Sequence, residues 1–265
     1  MNLPKLGVLL YGTLAYLFFL ATFLYTIGWT LGLVVPQHID TVAGEAPSTI
    51  QALAVNGGIL GIFAVQHLIM ARHWFKRRIT KLIPAAAERS TFVVVTCAIL
   101  CSMFLFWQPM PSVIWEVSSP IARNALIALS LFGFVGVVFA TFLIDHFELF
   151  GLSQVIRFFR GKNHTPPPFQ VRSIYRFSRH PLYLFFFIAF WSTPTMTLGH
   201  LVFAMLCTGF VFVGVQFEER NLVAEHGERY LSYRRKVPMI LPSFGRSTPP
   251  IAPLAAAIGS TDGAA

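Results

Sequence analysis

Charged residues are scarce in this sequence, since Asp, Glu, Lys and Arg together make up only 12% of its 265 residues. Hydrophobic residues make up 55%, and the mean hydropathy of +0.65 lies outside the range of ordinary soluble domains. A helix needs roughly 20 mostly apolar residues to cross a hydrocarbon core of about 30 Å, and several runs of this chain qualify. The composition therefore predicts a membrane protein.

Cysteine is scarce as well, with three residues in the chain. Cys97 and Cys101 lie one helical turn apart within an apolar run, and Cys207 lies alone in another. This spacing supports neither a disulfide framework nor a zinc site. We interpret all three as small apolar side chains, and we expect no metal site.

Several familiar functional motifs are missing from the sequence. It contains no glycine-rich dinucleotide motif, P-loop, H-E-x-x-H or G-x-S-x-G, so a nucleotide-like cofactor would need another scaffold. The net charge of +9 would suggest a nucleic-acid partner in a soluble protein. In a membrane protein, basic loops on the cytoplasmic side explain it, so we expect membrane lipids as partners and no nucleic acid.

The apolar residues fall into long segments: 6–35, 53–70, 91–107, 125–144 and 182–217. The first is far longer than the core of a signal peptide, so we expect it to remain as a span. The last is too long for one span, and Pro194 and Gly199 within it predict two helices joined by a tight turn. The predicted fold class is all-α: a polytopic integral membrane bundle of about six helices, the last two forming a hairpin.

Lys and Arg are distributed unevenly between the connecting segments. Residues 36–50, 108–120 and 192–200 contain neither, whereas residues 72–89, 157–179 and 220–246 are basic and contain mostly Arg. Because cytoplasmic loops retain basic residues, this pattern predicts a multi-pass membrane protein with both termini in the cytoplasm. Arg123 is the exception to the pattern.

Polar residues gather at the two ends of the predicted hairpin. Arg179, His180 and Tyr183 stand at its start, and Glu218 and Glu219 stand at its far end. Both ends of a helical hairpin return to the same membrane face, so these residues should be neighbours. Ionisable residues at the membrane edge indicate a functional site by default. The alternatives are an ion pair that merely closes the hairpin, and an interfacial anchor at Arg179.

Two motifs in this region resemble a known family. RHPLY (179–183) and EERNLVAEHGERYLSYRRKVPMILP (218–242) resemble the R-H-P-x-Y and E-E-x-x-L…V-P-x-x-x-P pattern of the isoprenylcysteine carboxyl methyltransferase superfamily of membrane enzymes. His226 replaces the usual aromatic residue before Gly227, at a packing position. Phe185 stands where relatives often have glycine, which disfavours a long prenyl chain at that point.

Upstream motifs narrow the resemblance to the bacterial methanethiol S-methyltransferases, which implies a location in the inner membrane of a bacterial cell. They are QHLIMAR (66–72), ERSTFV (88–93), DHFELFGLSQV (145–155), TPPPF (165–169) and FWSTPTMTLGHLVFA (190–204). The resemblance implies one membrane methyltransferase domain over residues 1–246, with its cofactor-binding part at 165–246. The three prolines of residues 164–169 predict an extended segment, and the pattern of residues 217–241 predicts a cytoplasmic amphipathic helix. Residues 247–265 should form a disordered tail.

The resemblance implies methyl transfer from S-adenosylmethionine to methanethiol, giving dimethyl sulfide when the thiolate attacks the sulfonium methyl. An arginine can hold the cofactor carboxylate with a two-donor fork, glutamates can accept from its ribose or ammonium, and tyrosines can face its adenine or sulfonium. His180 either donates to the cofactor or caps the helix that Pro181 begins. The expected cofactor-binding residues are Tyr175, Arg179, His180, Pro181, Tyr183, Glu218, Glu219, Tyr230 and Tyr233.

The thiol must also lose a proton, because a thiol is a poor nucleophile with an unperturbed pKa of about 8.5 for cysteine. Asp145, His146 and Glu148 at the end of the fourth span, and His67 on the second, are candidate catalytic bases. Each can equally be a polar residue at the membrane interface. Two other functions stay open: methylation of a larger lipid, thioether or isoprenylcysteine-type carboxylate acceptor, and a non-enzymatic haem-binding or transport accessory role. The oligomeric state stays open as well.

Overall fold

The computed structural model describes residues 3–42, 44–45, 47–163 and 169–242. The sequence-based expectations for the proline-rich residues 164–168 and for the tail at 247–265 lie outside this range. Helices dominate the described part. In chain order the elements are α1 (Leu3–Leu31), α2 (Thr49–Met70), α3 (His73–Ile79), α4 (Glu88–Phe106), β1 (Val113–Glu116), α5 (Pro120–Ile144), α6 (His146–Leu149), α7 (Leu152–Phe159), α8 (Pro181–Trp191), β2 (Thr195–Thr197), α9 (Leu198–His226) and α10 (Glu228–Lys236), with short 3-10 helices at Ala85–Ala87 and Ser173–Arg176.

Among the residues that the structure describes, five helices are long and apolar enough to cross a membrane, namely α1, α2, α4, α5 and α9. The sixth apolar helix, α8, has 11 residues and is therefore about 16 Å long at 1.5 Å per residue. It falls short of a hydrocarbon core of about 30 Å. The predicted all-α membrane bundle is confirmed, and the protein is a multi-pass membrane protein. Its last two apolar helices form a hairpin with unequal arms.

Three of the long helices begin with a hydroxyl side chain that caps the first turn. The hydroxyl groups of Ser48, Ser119 and Thr197 accept hydrogen bonds from backbone N–H groups at the starts of α2, α5 and α9, respectively. Such caps satisfy donors that a helix leaves unpaired at its N-terminus. In α5, Pro120 adds a backbone angle suited to the first helical position.

The connection between α8 and α9 is a short strand and not the simple tight turn that the sequence predicts. β2 pairs antiparallel with β1 from the connection before α5. Both strands carry β-branched residues, and β1 adds Trp115, which suits a pleated surface. The hydroxyl group of Thr197 also donates to the Asp40 carboxylate at 2.5 Å, which links the loop after α1 to this strand pair.

The C-terminal amphipathic helix expected over residues 217–241 is divided in the structure. α9 continues without a break to His226, and Gly227 at φ +54° separates it from α10. After α10 the chain returns to the start of α8, where the N–H groups of Arg179 and His180 donate to the carbonyls of Pro238 and Met239. Residues 238–240 therefore hold the start of α8 in place.

Candidate functional site

A cavity of about 200 Å³, here called the polar pocket, lies where α5 and α9 approach their C-terminal ends, beside the start of α8 and α10. We call this the basic end of the bundle, because Arg72, Arg89 and Arg179 lie there. The polar pocket is lined by Leu143, Ile144, Phe169, Gln170, Val171, Tyr175, Arg179, His180, Glu218, Leu222, His226, Tyr230 and Tyr233.

A buried ion pair between Arg179 and Glu219 lies at the polar pocket. The arginine Nε donates to Oε1 of Glu219 at 2.6 Å, and the side chains are 9% and 4% exposed. His180 Nε2 lies 3.2 Å from the same oxygen, and Arg234 Nε lies 3.1 Å from Oε2. One carboxylate is thus shared by three basic side chains. Such multiple partners offset the cost of removing the charges from water.

The remaining donors of Arg179 are partly occupied by backbone carbonyls. Nη1 donates to the carbonyl of Arg234 at 3.0 Å and to that of Val237 at 2.5 Å. Nη2 has no hydrogen-bond partner in the described part of the chain. The sequence predicts that Arg179 binds a carboxylate with two donor nitrogen atoms. In the structure Nε and Nη1 are already occupied, so only the amino group Nη2 is left to bind a ligand.

The start of α8 shows how the RHPLY motif folds. Pro181 is the first helical residue, as expected, and His180 occupies the N-cap position. The His180 side chain makes no capping hydrogen bond and turns toward Glu219. The sequence allows His180 either to donate to the cofactor or to cap α8, and the structure shows no capping by its side chain.

The two adjacent glutamates differ in their surroundings. The Glu218 side chain is 45% exposed and lines the polar pocket, whereas Glu219 is almost fully buried beside it. Oε2 of Glu218 accepts a hydrogen bond from the Tyr183 hydroxyl at 2.9 Å and lies 3.8 Å from His180 Nδ1. Glu218 can therefore meet a ligand from the polar pocket, while Glu219 supports Arg179 from behind.

Three tyrosines line the polar pocket. The hydroxyl of Tyr233 donates to the carbonyl of Tyr175 at 2.6 Å, and the hydroxyl of Tyr175 is directed at the carbonyl of Ala140 at 3.5 Å. The buried hydroxyl of Tyr230 lies beside the Glu219 carboxylate, beyond ordinary hydrogen-bond distance, and has no closer partner among the described residues. Burial raises the pKa of all three phenols, so they remain neutral donors.

The lining residues that sequence reasoning missed are mostly apolar. Leu143 and Ile144 from the end of α5 carry no signal that separates them from lipid-facing residues, whereas Leu222 from α9 is the leucine of the E-E-x-x-L motif. His226 packs its ring against Phe169 with 4.9 Å between ring centroids, so its replacement of an aromatic residue keeps a packing role.

Two of the candidate bases lie in a second cavity of about 310 Å³, here called the side cavity. Asp145 and Glu148 line it, and Ile144 lines both cavities. Oδ1 of Asp145 accepts the N–H of Glu148 and thereby caps α6, while Glu148 accepts a hydrogen bond from Gln154 at 2.9 Å. The two carboxylates are therefore next to the polar pocket and not inside it.

His146 lines neither cavity, although it follows Asp145 directly. Its ring is buried, with Nδ1 2.7 Å from the Thr141 hydroxyl and Nε2 2.9 Å from the Tyr16 hydroxyl. The Thr141 hydroxyl donates its proton to the Val138 carbonyl, so Nδ1 is the donor and Nε2 accepts from Tyr16. This arrangement suits a neutral, structural imidazole.

His67 also lines neither cavity. Its ring lies among Phe63, Phe92 and Phe210, with centroid distances of 5.5, 4.8 and 5.6 Å. Nδ1 is buried without a hydrogen-bond partner within the described ranges. The structure therefore does not bring His67 together with the other predicted site residues.

Acidification is expected to destabilise the protein through His146. Burial lowers the pKa of His146 below its ordinary value, against the opposing effect of the Asp145 carboxylate. Below about pH 6.5 the unfolded chain then binds a proton that the folded chain does not. The free energy of unfolding therefore decreases as the pH is lowered through this range. We expect the melting temperature to drop less for His146→Gln than for the wild type between about pH 7 and 5. Equal drops would contradict this.

The bundle and its polar pocket define a helical, multi-pass membrane protein with a buried charged site at one membrane edge. The chain is 48% identical to the methanethiol S-methyltransferase of Mycobacterium tuberculosis over 91% of its length and 98% of the relative's. It is 46% identical to methanethiol S-methyltransferase 1 of Bradyrhizobium diazoefficiens (90% and 83%) and 43% identical to the enzyme of that name from Crocosphaera subtropica (93% and 96%). The chain therefore belongs to the methanethiol S-methyltransferase family and is a membrane thiol methyltransferase. No family model and no solved structure matches it.

Proposed function

We propose that this protein methylates methanethiol with S-adenosylmethionine, giving dimethyl sulfide and S-adenosylhomocysteine. The observation that carries the proposal is the buried Arg179–Glu219 pair, which presents an unpaired arginine amino group beside a tyrosine-lined pocket. The family assignment supports the same reaction, because the relatives are named for methanethiol methylation.

The donor set of the polar pocket fits S-adenosylmethionine. Nη2 of Arg179 can hold the cofactor carboxylate, and Glu218 can accept from its ammonium or ribose hydroxyls. The buried hydroxyl of Tyr230, beside the Glu219 carboxylate, is a further possible donor, and the tyrosine rings can face the adenine or the sulfonium. When bound, the cofactor supplies an electrophilic methyl group on a cationic sulfur.

The thiol proton is proposed to leave toward the side cavity. The thiol has to react as the thiolate, because a thiol is a poor nucleophile, so a group of this chain has to accept the thiol proton. The thiolate sulfur would then bond to the methyl carbon as the bond between that carbon and the sulfonium breaks, which would leave S-adenosylhomocysteine. Asp145 and Glu148 lie on the far side of Ile144 and can accept it, directly or through water. His146 is less suited, since Thr141 and Tyr16 occupy both ring nitrogens.

The apolar residues Leu143, Ile144 and Leu222 exclude water from the reacting sulfur atoms, which favours the cancellation of charge between a thiolate and a sulfonium.

An assay of the purified protein in detergent tests the proposal. Incubation with methyl-labelled S-adenosylmethionine and methanethiol is expected to give labelled, volatile dimethyl sulfide, and the absence of this product would overturn the assignment. A Soret absorption band in the purified protein would instead favour haem binding. Labelling of added prenylcysteine or lipid in place of the thiol would favour a larger acceptor.

We propose that the helices span the inner membrane of a bacterial cell and that the basic end lies on the cytoplasmic side. The distribution of Lys and Arg supports this, because loops rich in these residues are retained on that side. The polar pocket would then open where S-adenosylmethionine is made. A reporter fused after the chain and active only in the cytoplasm should be active; an inactive reporter would refute this orientation.

A further inference from the structure

Helices α5 and α8 approach each other at two glycines. A Cβ atom at Gly133 would lie 2.5 Å from the backbone nitrogen of Ala189, and one at Gly136 would overlap the ring of Phe185. The Ser130 hydroxyl also donates to the carbonyl of Ala189 at 2.6 Å. Real Cβ contacts are essentially never this short, so the glycines are what allow the Phe185 ring to enter a notch on α5.

This notch lies directly below the polar pocket. The hydroxyl of Tyr175, a pocket residue, is directed at the carbonyl of Ala140 on α5. Gly136 is four residues before Ala140 and therefore about one helical turn, or 5.4 Å, deeper in the bundle. The ring of Phe185 consequently occupies the next layer between α5 and α8.

On its other side Phe185 approaches the surface of the bundle. Its ring lies 5.8 Å from that of Phe132, which is 56% exposed on the apolar outer face of α5. Phe185 thus fills the seam between the two helices from the layer below the polar pocket out to the lipid-facing surface. An acceptor chain that extended from the polar pocket along this seam would meet the Phe185 ring.

We propose that Phe185, seated in the notch at Gly136, limits the length of the acceptor and selects a one-carbon thiol over thiols with longer alkyl chains. This inference rests on the proposed methylation of a thiol in the polar pocket. The neighbouring phenylalanines pack elsewhere: Phe186 lies against Phe190, and Phe187 lies against Phe212 of α9. The size limit is therefore assigned to Phe185 alone among the three.

The test is a competition between methanethiol and hexanethiol for labelled S-adenosylmethionine, with the ratio of their kcat/KM values as the readout. Because a single methylene in an apolar pocket changes selectivity by roughly 10- to 200-fold, Phe185→Ala is expected to shift the ratio toward hexanethiol by at least about 10-fold. Phe187→Ala, which removes the same volume on the α9 side, is the matched control and is expected to leave the ratio within about 2-fold of the wild type.

Phe185→Leu keeps most of the packing, so it tests the proposed size limit if the alanine variant does not fold. It is expected to shift the ratio in the same direction by a smaller factor. A folded Phe185 variant with the wild-type ratio, or an equal shift in Phe187→Ala, would overturn the inference. A wild-type protein that methylates no thiol at all would instead refute the proposed function, so the two failures are distinguishable.

Discussion

Glu219→Gln is expected to lower the free energy of unfolding by about 3 to 5 kcal/mol, the usual cost of breaking a buried ion pair by removing one partner. The substitution keeps the size of the side chain but leaves the guanidinium of Arg179, whose side chain is 9% exposed, without its countercharge. His180 loses the same partner, while Arg234 is half-exposed and can turn to water. Thermal or denaturant unfolding of the protein in detergent measures the effect.

Glu218→Gln is the matched control, because it makes the same chemical change one residue earlier. The Glu218 side chain is 45% exposed, so its contacts are expected to contribute less than about 1 kcal/mol to stability. This variant should remain folded and bind S-adenosylhomocysteine more weakly, since Glu218 lines the polar pocket. If both variants unfold at the same denaturant concentration, the structural role given to Glu219 is wrong.

The neighbourhood of Arg179 and Glu219 was predictable from the sequence because it depends on topology alone. Two helices joined by a short connection bring their outer ends to one face of the membrane, and the chain from Arg179 to Glu219, which are 40 positions apart, forms such a hairpin. The shortness of α8 does not disturb this, because β2 and the start of α9 supply the remaining length.

Other parts of the site depend on contacts that leave no pattern in the sequence. Arg179 is held by the backbone carbonyls of Arg234 and Val237, and any residue type can supply a carbonyl. Leu143 and Ile144 line the polar pocket from α5, yet an apolar residue facing a pocket reads the same as one facing lipid. The pairing of β1 with β2 joins segments about 80 residues apart, which local propensity does not reveal.

The candidate bases show that residues adjacent in the sequence can lie in different parts of the structure. Asp145 and His146 are adjacent, but the chain leaves α5 at Asp145 and starts α6 at His146. The carboxylate therefore lines the side cavity, while the imidazole turns among aromatic residues such as Phe142, stacked at 4.2 Å. Only the path of the backbone at this junction separates a candidate base from a packing residue.

Arg179→Lys is expected to weaken binding of S-adenosylhomocysteine by about 10- to 100-fold while the protein stays folded. The arginine spreads its donors over a plane, so that Nε and Nη1 meet Glu219 and two carbonyls while Nη2 remains for a ligand. A lysine ammonium places its three donors on one atom and keeps the charge beside Glu219, but it cannot serve all these partners at once. The loss corresponds to a hydrogen bond with a charged group, worth about 1.5 to 3 kcal/mol.

Calorimetric titration of the detergent-solubilised protein with S-adenosylhomocysteine measures this loss, and a melting curve checks that the variant is folded. Arg234→Lys is the matched control, because Arg234 contacts the other oxygen of Glu219 but does not line the polar pocket. Its Kd should stay within about threefold of the wild type, since a half-exposed ion pair contributes no more than about 1 kcal/mol. Equal losses in the two variants would mean that Arg179 acts only through Glu219, whereas a selective loss in Arg179→Lys would assign the ligand contact to its free amino group.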